Sequence, residues 1–341
     1  MSKMLFRKLF LRNEIFNNEY RAPIIPSHVK ILIDYGYIVY IQSSSNRCYD
    51  DFDYIKYGAV LVFDDWYNYN NDCLIIGIKE LNFLDKLNNH NHLYFSHSFK
   101  NQFNSNYILQ SFKKSNSILF DFEYFINTYG KRIIAFGFFA GIVGTALGIM
   151  QFYNKTNNID DINNLTYWNS IQNVIKSVNH KIISNINIAI VGPNGNSGSG
   201  VKFILDQLHI KYHQYTTDMD KSTLINYDIV FNCINLTSCI PVWFDNNTIF
   251  RKNIVIIDIS CDYKNPFNPI KIYNKSTNFI KPVFNYNNFV DIIAIENLPS
   301  LLPFDSSSHF SINLVKLLTN KNYINYWNNN KLLFYNIIKN N

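Results

Sequence analysis

The run Ile188-Ala189-Ile190-Val191-Gly192-Pro193-Asn194-Gly195-Asn196-Ser197-Gly198-Ser199-Gly200 constrains the fold more than any other part of this sequence. An uncharged apolar stretch passes straight into a glycine-rich turn, and a helical pattern follows. A buried strand, a tight turn and a helix in that order make one βα unit of a parallel sheet. Glycine permits the turn and lets backbone approach a pyrophosphate. The unpaired N–H groups and the positive dipole end of the helix suit an anion. The spacing is GxxGxxGxG instead of GxGxxG, so the strand–turn–helix context makes the dinucleotide signal. The next strand should end in a group that holds the adenosine ribose. Asp218 stands twenty residues beyond Gly198, but the strand reads as ending near Tyr215, which puts Thr216 there, and both remain candidates. No arginine follows to hold a 2′-phosphate, which favours NAD over NADP.

The rest of the chain repeats the alternation. Helical patterns over 28–35 and 52–57 are each closed by a glycine, Gly36 and Gly58, and strands over 37–42 and 59–63 follow them. Apolar runs at 73–78 and 93–96, a helix over 107–114 and a strand over 117–122 continue the array. A polar loop at 154–164 and a helix over 168–183 lead into the second array. There, 186–191, 211–215, 228–234, 254–259 and 290–295 read as strands, and 199–208 as a helix. This pattern predicts an α/β protein of two Rossmann-like domains with mainly parallel sheets. The expected division is residues 1–135 with 298–341, and residues 136–297, with the active site in the cleft between them. The uncharged stretch 133–150, IIAFGFFAGIVGTALGIM, is long enough to cross a bilayer. It stands alone and is rich in glycine and alanine, so it is expected as a long buried helix joining the domains.

Composition removes other classes. The 31 Lys and Arg against 25 Asp and Glu are dispersed, so no basic patch for nucleic acid is expected. Asn runs at 68–71 and 328–330 lie among regular apolar segments and read as codon drift, not as a prion-like tract. The five cysteines are odd in number, form no CxxC and share no zinc-ligand spacing with histidine. A reducing, cytoplasmic setting without a metal is expected. The N-terminal MSKMLFRKLFLRNE lacks the apolar core and cleavage site of a signal peptide.

Two segments close apolar runs where ligands gather in open α/β sheets, at the carboxyl ends of strands. They are Gly77-Ile78-Lys79-Glu80 and Phe95-Ser96-His97-Ser98-Phe99-Lys100-Asn101-Gln102. Lys79 and His97 there are candidates for a proton-transfer pair.

The segments LRNEIFNNEYRAPIIP, GIKE, YFSHSFKNQ, GKRIIAFGFFAG, the glycine turn, VIIDISCDYKNPFNPI and IENLPSLLP occur in this order along nearly the whole chain. Together they resemble the NAD-dependent, lysine-forming saccharopine dehydrogenases, a family related in fold to alanine dehydrogenase and to the transhydrogenase nucleotide-binding module. The resemblance implies Lys79 as the base toward the secondary amine of saccharopine and His97 as the acid–base group in imine hydrolysis. It implies Arg21 as a carboxylate clamp and Gln102 as a further substrate contact. Lys131, Arg132, Phe136, Gly195, Asn196, Cys233, Asp258, Ser260, Ile295, Glu296, Asn297 and Leu298 fall where the family meets the cofactor. Saccharopine, lysine and 2-oxoglutarate are the implied small-molecule partners, with a monomer expected and neither nucleic acid nor membrane. The sequence departs from the family at Phe16, where a lysine is usual, at Asn297, where a histidine follows the acid, and at Phe304, where an arginine is usual. A non-catalytic NAD-binding homologue, or a dehydrogenase for another amino acid such as alanine, are the alternative readings.

Overall fold

The computed structural model describes residues 6–69, 71–99, 104–216, 218–236 and 238–340. The chain divides into two compact units, Met1–Ala135 with Pro303–Asn341, and Phe136–Leu302. The return point is thus Pro303, and the segment 298–302 belongs with the second unit instead of the first.

The first unit opens with β1 (Lys8–Leu11), α1 (Pro26–Tyr35), β2 (Ile38–Gln42), α2 (Asp51–Lys56) and β3 (Val60–Val62). It continues with β4 (Cys73–Ile76), β5 (Asn91–Tyr94), α3 (Ser105–Lys114) and β6 (Ile118–Asp121). The strands form one parallel sheet in the order β3-β2-β1-β4-β5-β6. The order of strand addition reverses between β1 and β4, so a crevice opens beyond their carboxyl ends. All four residues of β4 and of β5 are buried, as central strands covered on both faces require. Gly36 ends α1 in a left-handed conformation, φ 106°, and its N–H donates back to Ile33 and Leu32. The Asp50 side chain caps α2 by accepting from the Phe52 N–H.

The second unit begins with α4 (Gly137–Thr156) and α5 (Ile171–Asn179). Then come β7 (Ile188–Val191), α6 (Asn196–Gln207), β8 (His213–Tyr215), β9 (Ile229–Asn232), β10 (Ile254–Asp258), β11 (Phe284–Asn285) and β12 (Val290–Ile293). The sheet order is β11-β12-β10-β9-β7-β8, parallel except for the β11 edge, with its own reversal between β7 and β9. Residues 137–150 of the uncharged stretch form the first part of α4, in this unit, and residues 133–135 belong to the first unit. A Cβ on Gly141 would stand 2.0 Å from the Ser197 carbonyl of α6, and one on Gly148 2.7 Å from Ile257 of β10. The glycines therefore let α4 press against α6 and the sheet. The helix runs on past Met150, and buried Gln151 donates to Asp161 and Asp291 while Lys155 pairs with Asp291 at 2.8 Å. Among the described residues no helix is long and apolar enough to cross a membrane.

Two helices, α7 (Pro303–Thr319) and α8 (Ile324–Asn340), complete the first unit. Ser307 and Ser311 of α7 accept from the Ala22 and Ile25 N–H groups, at 2.8 and 3.0 Å, and fix the segment that carries Arg21. Asn330 of α8 bonds the backbone of Asp121 in both directions, at 3.1 and 2.8 Å.

Candidate functional site

In the first unit Leu11 pairs with Ile76, so the chain leaving β1 and the chain leaving β4 emerge side by side. The first delivers Arg12 and Glu14, both buried and paired at 3.2 Å. The second delivers Gly77 to Glu80. Arg12 Nη2 donates to the carbonyls of Lys79 and of Glu80, the latter at 3.3 Å. Glu14 accepts from the Ile78 N–H at 2.6 Å and the Lys79 N–H at 3.0 Å. Gly77 is glycine for a steric reason, because a Cβ there would stand 2.1 Å from Arg12 Nε. Burial pushes the Glu14 carboxyl above its ordinary pKa, against the pull of Arg12 and of the two N–H donors.

Beside this pair lies a second one. Arg21 Nε and Nη2 donate to the two oxygens of Glu19 at 2.7 and 2.5 Å, and both residues are buried. Burial alone would raise the Glu19 carboxyl, but the charge and hydrogen bonds of Arg21, helped by Lys79, hold it below the ordinary value. Glu19 thus holds Arg21, the residue expected as a substrate clamp, by its Nε and Nη2. Arg12, Glu14, Glu19, Arg21 and Arg47 line one small recess with Pro23 and Ser44. Lys79 itself is half-buried, and its ammonium makes no ion pair or hydrogen bond among the described residues.

His97 leaves the same edge of the sheet from the neighbouring strand. Gly77 N–H donates to Leu93, and Phe95 N–H to Ile78, so the chain beyond β4 and the chain beyond β5 stay adjacent. His97 holds φ 52°, a left-handed conformation that costs a non-glycine residue energy. The turn is kept by Ser96, whose hydroxyl donates to buried Asp121 at 2.6 Å. Its Nδ1 stands 3.8 Å from Glu123, which also pairs with Arg132 at 3.2 Å. Lys131 is exposed, with its backbone N–H donating to Asn127 at 3.0 Å. Lys131 and Arg132 both lie in the first unit. Gln102 lies outside the described residues. Phe16 is exposed, at 44%.

In the second unit the glycine turn stands at the β7–β9 reversal. Gly192 has φ 82°, and Gly198 packs where a Cβ would meet the Gly192 carbonyl at 2.3 Å. Gly195 differs, since a Cβ there would have no neighbour closer than 3.8 Å. A Cβ on Gly195, the N-cap of α6, would thus make only ordinary van der Waals contact. Asn196, the first residue of α6, lies beside the start of α4, next to Phe136 and Gly137. Thr216 and Asp218 do not exclude each other, because the Thr216 hydroxyl donates to the Asp218 carboxylate in one exposed loop after β8. That bond lowers the Asp218 pKa.

Cys233 follows β9, and burial pushes its thiol pKa well up. Asp258 is the last residue of β10. Expected as a cofactor contact, it is 0% exposed, and its carboxylate accepts from Asn232 at 2.9 Å, from the Cys261 N–H at 3.0 Å and from the Tyr273 hydroxyl. It ties strand ends together, and burial raises its pKa to about 6 against those donors. Ser260, two residues on, donates to the Ile234 carbonyl. Ile295 and Leu298 are buried, Glu296 is exposed with Tyr263 donating to it at 3.5 Å, and the Asn297 carbonyl accepts from Ser300.

Sequence reasoning missed Arg12, Glu14 and Glu19. The signal was present, in charges placed immediately after an apolar strand that the sheet must bury.

Residues 10–143 match the family profile described as alanine dehydrogenase/PNT, N-terminal domain. The saccharopine dehydrogenase [NAD(+), L-lysine-forming] of Neurospora crassa is 31% identical, over 94% of this chain and 92% of that one. The enzyme of the same name from Candida glabrata is also 31% identical, over 91% and 90%. Among solved structures, an L-alanine dehydrogenase superposes with a TM-score of 0.70 at 13% identity, covering 95% of this chain and 93% of that one, a likeness of fold. Identity at this level along almost the full length of both chains places the protein by descent as well as by fold: it belongs to the NAD-dependent, L-lysine-forming saccharopine dehydrogenase family.

Proposed function

We propose that this protein oxidises saccharopine with NAD and water to L-lysine, 2-oxoglutarate, NADH and a proton. The observation that carries the reading is Lys79, whose ammonium makes no ion pair or hydrogen bond among the described residues, on the same sheet edge as His97. The second unit fits the cofactor, because the space above Gly195 accepts a pyrophosphate and the Thr216–Asp218 loop presents a carboxylate to a ribose. NAD, when bound, supplies the hydride acceptor. Lys79 takes the proton from the secondary amine as the adjacent C–H bond gives up its hydride, which leaves a C=N bond in the substrate. His97 then assists addition of water to that carbon, and the C–N bond breaks with the proton returning to the departing lysine amine. Groups of this kind contribute ~10²–10⁴-fold each. Glu123, beside His97 and tied to Arg132, orients the ring.

A monomer acting in the cytoplasm accords with this function, and five unpaired cysteines suit a reducing compartment. The test is consumption of NADH with lysine and 2-oxoglutarate, with alanine formation from pyruvate and ammonia as control. Turnover with lysine and not with pyruvate is expected. No turnover with lysine, or faster turnover with pyruvate, refutes the reading.

A further inference from the structure

We propose that Arg12 and Glu14 form a positioning clamp for Lys79, acting on its backbone and not on its side chain. The inference rests on the reading of Lys79 as the base. Glu14 accepts the N–H of Ile78 and of Lys79, at 2.6 and 3.0 Å, and Arg12 donates to the carbonyls of Lys79 and Glu80. The peptide groups on both sides of the Lys79 Cα are thereby fixed by one ion pair from the neighbouring strand end. The clamp is itself held. Arg12 lies over the Tyr94 ring, 5.8 Å from its centroid, and the missing Cβ of Gly77 is the space its guanidinium fills.

This arrangement answers a need of the chemistry. Residues 77–80 lie past the last residue of β4; Gly77 and Ile78 still bond the chain of β5, and at Lys79 the backbone passes from those bonds to the ion pair. A base at the end of a long flexible side chain delivers its rate only if its anchor is steady, and misplacement by about 1 Å can cost on the order of 10²-fold. Neither clamp member touches the reacting atoms in this scheme. Both are buried, and their polar groups are turned onto the segment. Charges so placed are costly to bury, and a role limited to stability is better met by apolar packing.

The consequence is a specific pattern of kinetics. Glu14→Gln keeps size and shape but sets an NH₂ group against an N–H, so one of the two backbone bonds is lost. Saccharopine turnover should fall about 10–100-fold, with the dissociation constant of NADH, read by fluorescence, changed less than about twofold. Gly77→Ala reaches the same end without altering a charge, because its Cβ displaces the Arg12 guanidinium, and it should slow turnover alike. The deciding measurement uses a Lys79→Met background. A group that acts through Lys79 has nothing left to position there, so adding Glu14→Gln should lower the residual rate less than about twofold. An equal loss in both backgrounds, or a folded Glu14→Gln and Gly77→Ala pair with wild-type turnover, overturns the clamp. Wild-type turnover in Lys79→Met overturns the base assignment instead, so the two failures are distinguishable. If Glu14→Gln does not fold, Gly77→Ala carries the same comparison.

Discussion

His92 is buried in a place that should make the first unit acid-sensitive. It is 0% exposed on β5, and among the described residues neither ring nitrogen has a hydrogen-bond partner. Trp66 and Phe112 meet it edge to face at 4.7 and 5.5 Å, and His90 stands 6.0 Å away. Burial first, then the charges of His90 and Arg12, drives its pKa well below the ordinary 6.5. The fold therefore refuses a proton that the unfolded chain accepts. Below pH ~6.5 the unfolded state binds more protons, so stability is complete above that pH and falls as pH drops. The loss is roughly 1.4 kcal/mol per pH unit, so two units below the unfolded pKa remove about 2.7 kcal/mol. A second cost exists at every pH, because an unmatched donor and acceptor in the core cost about 1–3 kcal/mol. His92→Phe supplies a flat ring for the same aromatic walls and removes both terms. The variant should be more stable than wild type by about 1 kcal/mol at neutral pH. The gap should widen by roughly 1.4 kcal/mol per unit on acidification below ~6.5. Urea denaturation followed by far-UV circular dichroism, on both proteins between pH about 7.5 and about 4.5, reads the difference. Parallel pH profiles with a constant gap would refute the argument, since they would mean that His92 titrates alike in both states.

Gly195→Val should weaken NADH binding at least tenfold and leave the melting temperature of the second unit nearly unchanged, because the fold has room for its Cβ. Gly198→Ala should instead destabilise by about 1–3 kcal/mol, as its methyl meets the Gly192 carbonyl. Calorimetric titration and thermal melts of the two variants separate these outcomes. Arg21→Ala should cost about 3–5 kcal/mol, because it leaves Glu19 charged and buried without its partner. A variant with wild-type stability would refute that dependence of Glu19 on Arg21. Asp258, with a pKa raised to about 6, gives a contribution to stability that is present below its unfolded pKa and lost as pH rises through 6. Asp258→Asn should flatten that part of the stability profile, and an unchanged slope between pH 4 and 6 would contradict the shift.

The parallel sheets were legible because central strands buried on both faces appear as unbroken apolar runs, as in Cys73–Ile76 and Ile188–Val191. Other elements were hidden by local composition. β1, the centre of its sheet, sits inside a basic N-terminal stretch that invited comparison with targeting signals. α8 carries its core contacts on Trp327 and Phe334, one heptad apart, and the asparagines between them mask the stripe. α5 covers only Ile171–Asn179 of the helix expected over 168–183. The end of α4 was read as loop because Gln151 and Asn154 are polar. Their side chains are satisfied by Asp161, Asp291 and the Asp160 carbonyl, which lets the helix continue into a buried setting.

The candidate site divides along the same physical line. Lys79 and His97 could be located from sequence because strand ends are positions, and positions follow from periodicity. What a charged residue does there depends on its partner, which periodicity does not report. Arg21 and Asp258 carry the right chemistry for a ligand, and each also bonds within the chain, Arg21 to Glu19 and Asp258 to Asn232, Cys261 and Tyr273. Arg12 and Glu14 would pass in sequence for an ordinary surface pair, and they hold the segment on which the proposed chemistry depends. Burying a charge without a partner is costly, and this chain pairs each of two buried arginines with a glutamate beside Lys79, while Lys79 is only half-buried and keeps its ammonium out of both hydrogen-bonded pairs. The proposed reading assigns that side chain to the substrate amine, and the Lys79→Met variant tests the assignment.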